Sequence, residues 1–245
     1  MLKLLSYPIS VIYNLFFGLT LLVFHPIQWI CFNIFGKKTH QQSVYLLQWS
    51  LMRCANILGT RFSFINTHDI EPNRPLIIVA NHQSLHDIYP LTWYMRKRSP
   101  KFISKIELGR GIPSVSYNLR HGGAALIDRK NPRQSLPTLM KFGEFIEANN
   151  YAAVIFPEGT RSKDGTVKPF QRKGLEILFK KIPSALVVPV SINNSWKMLR
   201  YGKFPMGLGN HIKFTVHKPI DLAIFVNKDD LIETVESTIK NHIKN

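Results

Sequence analysis

The chain has 245 residues, a length that fits one large domain or one domain with an appended segment. Apolar residues make up 45% of the chain and charged residues 19%, which excludes wholesale disorder, collagen and coiled coil. The formal net charge of +17 favours anionic partners: nucleic acid, phosphorylated ligands or an anionic membrane. Cys31 and Cys54 lack the spacing of a metal site, so neither a disulfide scaffold nor a zinc finger is expected.

An uncharged stretch lies close to the N-terminus. From Leu4 to Gly36, 33 residues contain no Asp, Glu, Lys or Arg. Pro8 is placed to begin a helix and Pro26 to end or kink it, which predicts segments of about 17 and about 10 residues. Because a bilayer core is about 30 Å thick, two short apolar helices in one leaflet fit at least as well as a spanning helix.

Three interpretations of this stretch compete. A cleaved signal peptide fits poorly, because only Lys3 precedes the apolar region and no small-residue cleavage site follows it. A buried hairpin of a soluble protein is the second, and a membrane anchor, spanning or monotopic, is the third. We expect the anchor, because Lys37 and Lys38 follow the stretch directly and Trp29 suits a membrane interface.

Helical spacing of apolar residues continues over Gln41–Leu58 and predicts an amphipathic helix on the globular domain or on the membrane. We therefore expect residues 1–58 to be membrane-associating helices and residues 59–245 to form an α/β domain. Within that domain the predicted strands are Pro75–Ala80, Ala124–Asp128, Ala152–Phe156, Ala185–Ile192 and Ile212–Ile220. The predicted helices are Leu85–Met95, interrupted by Pro90, and then Ser135–Asn149, Arg172–Ile182 and residues 228–245.

Alternation of strands and helices predicts an α/β fold with a mainly parallel central sheet flanked by helices. In such a fold the loops at the carboxyl ends of the strands carry the chemistry. The first of these loops contains His82 and Asp87, with the spacing H-x-x-x-x-D. A sharp turn would fold the carboxylate beneath the imidazole, where it accepts Nδ1–H and leaves Nε2 free as a base. His86 is a rival base, and two ordinary loop histidines are the simpler alternative.

The loop Phe156–Ser162 follows the third predicted strand. Gly159 permits an unusual backbone turn, and Arg161 with exposed backbone N–H groups is suited to hold a phosphate. Glu158 would orient Arg161 or accept a hydrogen bond from a ligand hydroxyl. Taken alone, a polar turn with a salt bridge explains the same residues.

Together these blocks resemble the glycerolipid acyltransferase family, of the lysophosphatidate acyltransferase type. The pattern NHxSxxD is followed after about 70 residues by FPEGTRS. Gly123–Arg129 resembles the family's G-x-x-F-x-x-R block, with Leu126 in place of the aromatic residue, a departure that concerns packing or pocket shape. Lys105–Leu108 resembles the block K-x-E-L, and Val187–Val190 resembles the fourth block. The resemblance covers residues 60–220.

The resemblance implies transfer of a fatty acyl group from acyl-CoA or acyl-carrier protein to the sn-2 hydroxyl of 1-acylglycerol-3-phosphate, giving phosphatidate. His82 would act as the general base and Asp87 would hold its tautomer, without a covalent acyl-enzyme. The implied substrate-binding residues are Lys105, Arg129, Glu158, Gly159, Thr160 and Arg161. No metal and no cofactor are expected, because the acyl thioester is a co-substrate.

Basic residues bracket these loops. Residues 96–133 contain ten basic and two acidic side chains, and residues 161–181 contain seven and two. This charge suits a lysophospholipid, an anionic membrane and an acidic carrier protein, and no nucleic-acid-binding signature accompanies it. Alternatives are another lysophospholipid or glycerol 3-phosphate as acceptor, or a non-enzymatic module that binds anionic membranes or nucleic acid. The expected location is a bacterial inner membrane, with the catalytic domain facing the cytoplasm.

Overall fold

The computed structural model describes residues 2–243. Its helices are α1 Leu2–Phe35, α2 Lys37–Asn56, α3 Ile88–Tyr94, α4 Val115–His121, α5 Pro132–Asn149, α6 Arg172–Lys181 and α7 Lys228–Asn241. Its strands are β1 Arg61–Ile65, β2 Leu76–Ala80, β3 Pro100–Lys105, β4 Ala125–Ile127, β5 Ala152–Ile155, β6 Leu186–Asn193, β7 His211–Val216 and β8 Ile220–Asp221. The last two residues of the predicted C-terminal helix lie outside the described residues.

Within residues 2–243 the strands form one sheet in the order β1-β7-β6-β2-β5-β3-β4, with β8 also paired to β6. The neighbours along β6-β2-β5-β3-β4 are parallel, and so are β1 and β7, whereas β7 and β8 run antiparallel to β6. Strands β2, β5 and β6 are buried along their whole length, because helices cover both faces of the sheet. The predicted α/β fold with a mainly parallel sheet flanked by helices is confirmed.

Several boundaries differ from the sequence-based prediction. Strands β1 and β3 and helix α4 are additional elements, and the strand predicted over residues 212–220 is divided into β7 and β8. Pro219 immediately precedes β8 and cannot donate to a strand ladder, which accounts for the interruption. The predicted helix over residues 85–95 begins as a 3-10 turn at Leu85–Asp87 and becomes α-helical from Ile88.

The N-terminal apolar stretch forms one helix of 34 residues, so the predicted division at Pro26 is wrong. Pro8 and Pro26 both lie inside α1. Pro26 removes one backbone hydrogen bond, but the buried neighbours Phe24 and Gln28 hold this part of α1 against the domain. Helix α1 ends at Phe35, and Gly36, with a φ of 83°, connects it to α2.

One face of α1 packs into the core of the sheet domain. Tyr13 of α1 and Cys54 of α2 belong to the apolar cluster that contains residues of β2, β5 and β6. Phe24 packs in a second cluster with Leu47 of α2, and the Ser10 hydroxyl accepts a hydrogen bond from the Met206 N–H at 2.8 Å. The predicted domain boundary after residue 58 stays a prediction, and apolar packing joins the two sides of that boundary.

The opposite face of α1 is apolar and exposed. Leu4 is 74% exposed, Leu15 58% and Leu22 57%, and many other large apolar side chains lie on the same face. The helix is long and apolar enough, by length and composition, to cross a membrane. A contiguous apolar surface of this kind marks a contact with a membrane or with a protein partner.

Candidate active site

The loop after β2 brings His82 and Asp87 together. The Ser84 hydroxyl accepts a hydrogen bond from the His86 N–H and thereby caps the 3-10 turn Leu85–Asp87. That turn folds the Asp87 carboxylate back toward the loop, where its Oδ2 lies 2.8 Å from Nδ1 of His82. The juxtaposition expected from the H-x-x-x-x-D spacing is therefore present in the structure, while the catalytic role of the pair stays a prediction.

Three donors hold the Asp87 carboxylate. Besides the His82 imidazole, the backbone N–H groups of Gln83 and Ser84 donate to Oδ2 at 2.7 and 2.9 Å, and Asp87 is fully buried. An ionised carboxylate only accepts hydrogen bonds, so the proton of a neutral His82 lies on Nδ1 and Nε2 keeps its lone pair. The ring of Phe156 stacks on the imidazole with 4.1 Å between centroids, which fixes the plane of the base.

His86, the rival base, lies in a different environment. It is 1% exposed, and its Nδ1 lies 2.6 Å from the hydroxyl of Tyr89. Burial lowers the pKa of His86 to about 4, although the nearby charge of Asp87 acts in the opposite direction. A substrate hydroxyl does not reach a fully buried ring, so this geometry favours His82 as the base.

The loop after β5 forms hydrogen bonds with both backbone groups of His82. Oε1 of Glu158 accepts a hydrogen bond from the His82 N–H at 2.6 Å, and the Ser162 N–H donates to the His82 carbonyl at 2.8 Å. Oε2 of Glu158 accepts from the Lys168 N–H at 2.8 Å. Burial raises the pKa of the Glu158 carboxyl above its usual value.

These contacts give Glu158 a position that the sequence did not predict. Both of its oxygens bind backbone N–H groups, and the side chain is 4% exposed. Among the described residues, Glu158 forms no ion pair with Arg161, which was one expected arrangement. The ligand-binding role implied for Glu158 stays a prediction. The geometry favours a role in holding the backbone of His82 in position.

Gly159, Thr160 and Arg161 form the exposed tip of the same loop. Gly159 has a φ of 73°, in the left-handed region that favours glycine, and a Cβ atom there would lie 2.8 Å from the side-chain amide of Gln171. Thr160 and Arg161 are exposed to solvent. The guanidinium and the hydroxyl are thus available to an anionic ligand beside the His82 loop.

Lys105 and Arg129 lie at the carboxyl ends of the neighbouring strands β3 and β4. Lys105 ends β3 and is paired with Ile127 of the parallel strand β4, and Arg129 follows two residues later. Both side chains are exposed. They share the carboxyl edge with His82, although none of the hydrogen bonds within residues 2–243 ties either side chain to the His82 or Arg161 loops. Their roles as phosphate ligands stay predictions.

Gln83 was missed by the sequence reasoning. Its Oε1 accepts from the Ser195 N–H at 2.9 Å, and its Nε2 donates to the Gly165 carbonyl at 3.3 Å. This buried amide joins the loops that follow β2, β5 and β6. Its position inside the NHxSxxD block is the one sequence signal that points to it, because the two partner loops lie far away along the chain.

A family model described as Acyltransferase matches residues 61–193, more than half of the chain. The chain is 34% identical over 161 residues to a chloroplastic 1-acyl-sn-glycerol-3-phosphate acyltransferase of Brassica napus, covering 64% of this chain and 43% of that protein. It is 30% identical over 206 residues to the chloroplastic enzyme LPAT1 of Arabidopsis thaliana, covering 82% and 53%. The chain thus spans about half the length of these curated relatives.

A crystal structure of PlsC from Thermotoga maritima, a 1-acyl-sn-glycerophosphate acyltransferase, has the same fold. The TM-score is 0.80 at 24% identity, and the match covers 98% of this chain and 95% of that one. The family match includes the strands β2 and β5 together with the loops that carry His82, Asp87 and Arg161. The chain therefore belongs to the acyltransferase family.

Proposed function

We propose that this protein transfers a fatty acyl group from an acyl thioester to the sn-2 hydroxyl of 1-acylglycerol-3-phosphate, with phosphatidate as the product. The observation that carries the proposal is the hydrogen bonding between the loops that follow β2 and β5. It places the His82–Asp87 pair beside the exposed cation of Arg161. A base and an anion-binding group on one rigid unit suit an acceptor that has a hydroxyl near a phosphate. The names of the relatives favour the same acceptor.

His82 and Asp87 account for the chemical step. Nε2 of His82 takes the proton of the acceptor hydroxyl while its oxygen forms a bond to the thioester carbonyl carbon. Asp87 stabilises the imidazolium that results. The carbon–sulfur bond then breaks, and the imidazolium returns the proton to the leaving thiolate, so the free thiol and the ester are the products. No covalent acyl-enzyme forms in this mechanism.

The carboxyl edge of the sheet supplies the binding groups. Arg161 and Thr160 bind the acceptor phosphate from the tip of the β5 loop, and Lys105 and Arg129 add positive charge from β3 and β4. The donor is acyl-CoA or acyl-carrier protein as a co-substrate, without a bound cofactor or metal. The basic residues around the site attract the phosphates of either donor and the acidic surface of a carrier protein.

The exposed face of α1 attaches the protein to a membrane. The buried residues of α1 extend from Ser6 to Gln28, and they pack on the domain along most of a helix that is roughly 50 Å long. A helix covered by the domain along its length lies in the membrane plane, with its other face among the acyl chains. The proposed location is the cytoplasmic face of a bacterial inner membrane, because acyl thioesters are found in the cytoplasm.

An acyl-transfer assay tests the function directly. Purified protein in vesicles would be offered labelled acyl-CoA or acyl-carrier protein with lysophosphatidate, glycerol 3-phosphate or lysophosphatidylcholine. We expect phosphatidate from lysophosphatidate, and His82→Ala should lower kcat by on the order of 1000-fold, because base and positioning are both lost. His68→Ala, beyond the end of β1 and at the opposite sheet edge, is the matched control.

Each outcome of this assay has a distinct meaning. Product from another acceptor alone would keep the mechanism and replace the substrate. Full activity of a folded His82→Ala protein would contradict general-base catalysis by that residue. No product from any pair of substrates would favour the non-enzymatic binding module.

A further inference from the structure

Lys168 is bound to the Glu158–Arg161 turn at three points. Its backbone N–H donates to Oε2 of Glu158, ten residues earlier in the chain. Its ammonium group donates to the Thr160 hydroxyl at 2.8 Å and to the Arg161 carbonyl at 2.9 Å. Both ends of an otherwise flexible side chain are therefore fixed, which removes much of the entropic cost of holding a ligand.

The ammonium group of Lys168 keeps its charge available. Its two side-chain partners are neutral oxygens, and within residues 2–243 no ion pair joins it to a carboxylate. An ammonium has three N–H donors, so one remains after these two bonds. Since the Thr160 oxygen accepts from Lys168, the Thr160 proton is also free to be donated to an anion.

We propose that Lys168 is a second cation of the acceptor-phosphate site, acting together with Arg161. This inference rests on the proposed function, and it adds Lys168 to the phosphate-binding residues proposed above. The Lys168 ammonium donates to the backbone carbonyl of Arg161, which places its charge at the turn that carries Arg161. A phosphate with two negative charges is bound more tightly by two fixed cations than by one.

The competing interpretation is that Lys168 only braces the turn. Three substitutions separate charge from bracing. Lys168→Arg keeps both the charge and the hydrogen-bond donors, Lys168→Gln keeps a donor but loses the charge, and Lys168→Met loses both. Lys173→Gln, on the exposed side of α6, is the matched control for loss of one positive charge.

We expect Lys168→Gln and Lys168→Met to raise the KM for lysophosphatidate by on the order of 10-fold, with kcat within about 3-fold of wild type. The inhibition constant of inorganic phosphate should rise in parallel. Lys168→Arg and Lys173→Gln should stay close to wild type. If Lys168→Gln behaves like wild type and Lys168→Met alone is impaired, Lys168 is a brace and the proposal is overturned.

A binding measurement separates this test from the proposed function. Calorimetric titration of inorganic phosphate into the His82→Ala protein requires no turnover. Weaker binding after a further Lys168→Gln change supports the cation site even if no acceptor is acylated. Unchanged phosphate binding in an enzyme that does make phosphatidate overturns the inference and leaves the proposed function intact.

Discussion

Two buried carboxylates contact His82 in different ways. Asp87 bonds the imidazole, so it fixes the tautomer of the ring. Glu158 bonds the backbone N–H of the same residue, so it fixes the position of the backbone. The distinction depends on which atom of His82 each carboxylate contacts. Asp87 is 5 positions from His82 in the chain, and Glu158 is 76 positions away.

Glu158→Gln should separate positioning from substrate binding. A Gln carbonyl oxygen accepts from one backbone N–H, so either His82 or Lys168 loses its partner. We expect kcat to fall by on the order of 10-fold to 100-fold, with the KM for lysophosphatidate nearly unchanged, because misplacement of the base impairs the chemical step. Glu176→Gln, an exposed carboxylate on α6, is the control. A rise in KM alone would show instead that Glu158 contacts the acceptor.

At the element scale, α1 has two faces with different partners. Tyr13 is 2% exposed and packs in the core cluster shared with the sheet. Leu15 and Leu19, on the opposite face, are 58% and 46% exposed. The same helix therefore contributes to folding on one side and is placed to contact lipid on the other.

Substitutions on the two faces should have separable effects. Tyr13→Ala should lower the free energy of unfolding by about 3 kcal/mol, because it removes a large buried ring. The double change Leu15→Glu and Leu19→Glu should leave stability in detergent unchanged and weaken vesicle binding by at least about 10-fold, because apolar area is lost to water. Urea unfolding and vesicle flotation measure the two effects. Membrane binding that survives the double change would argue against α1 as the anchor.

At the scale of the whole molecule, buried histidines predict that stability falls in acid. Burial lowers the pKa of both His86 and His217 to about 4, and the Nε2 of His217 lies 2.7 Å from the hydroxyl of Ser191. In the unfolded chain these groups titrate near pH 6.5. Between about pH 6.5 and about 4 the unfolded state binds more protons, so the free energy of unfolding falls as the pH falls.

We expect the urea midpoint to decrease steadily from pH 7.5 to pH 5. His217→Gln should make this dependence shallower, because Gln keeps a hydrogen-bonding group beside Ser191 and does not titrate. His68→Gln is the comparison, since it removes a half-buried histidine outside the contact between His217 and Ser191. An identical pH slope in wild type and in His217→Gln would show that His217 is not part of the acid response.

Local sequence patterns predict many of the strands of the sheet. Apolar runs such as Leu76–Ala80 and Ala152–Ile155 are buried on both faces, so composition alone marks them as strands. β1 and β3 were not found, because Arg61–Ile65 is a half-buried edge strand and Pro100–Lys105 mixes apolar with charged residues. Pro26 looked like a helix end because the hydrogen bond it removes is local, whereas the packing that keeps α1 continuous is tertiary.

Local patterns in the sequence single out the candidate catalytic and binding residues. His82, Asp87 and the Glu158–Arg161 turn lie at strand ends, and a capped turn brings the first two together over five residues. The contacts of Glu158, Gln83 and Lys168 depend instead on the folded arrangement of the loops. The Glu158 and Gln83 contacts join loops 76 and more residues apart, and they exist because the strand order places β2 between β5 and β6. Local spacing encodes turns and periods, whereas strand order depends on the packing of the whole chain.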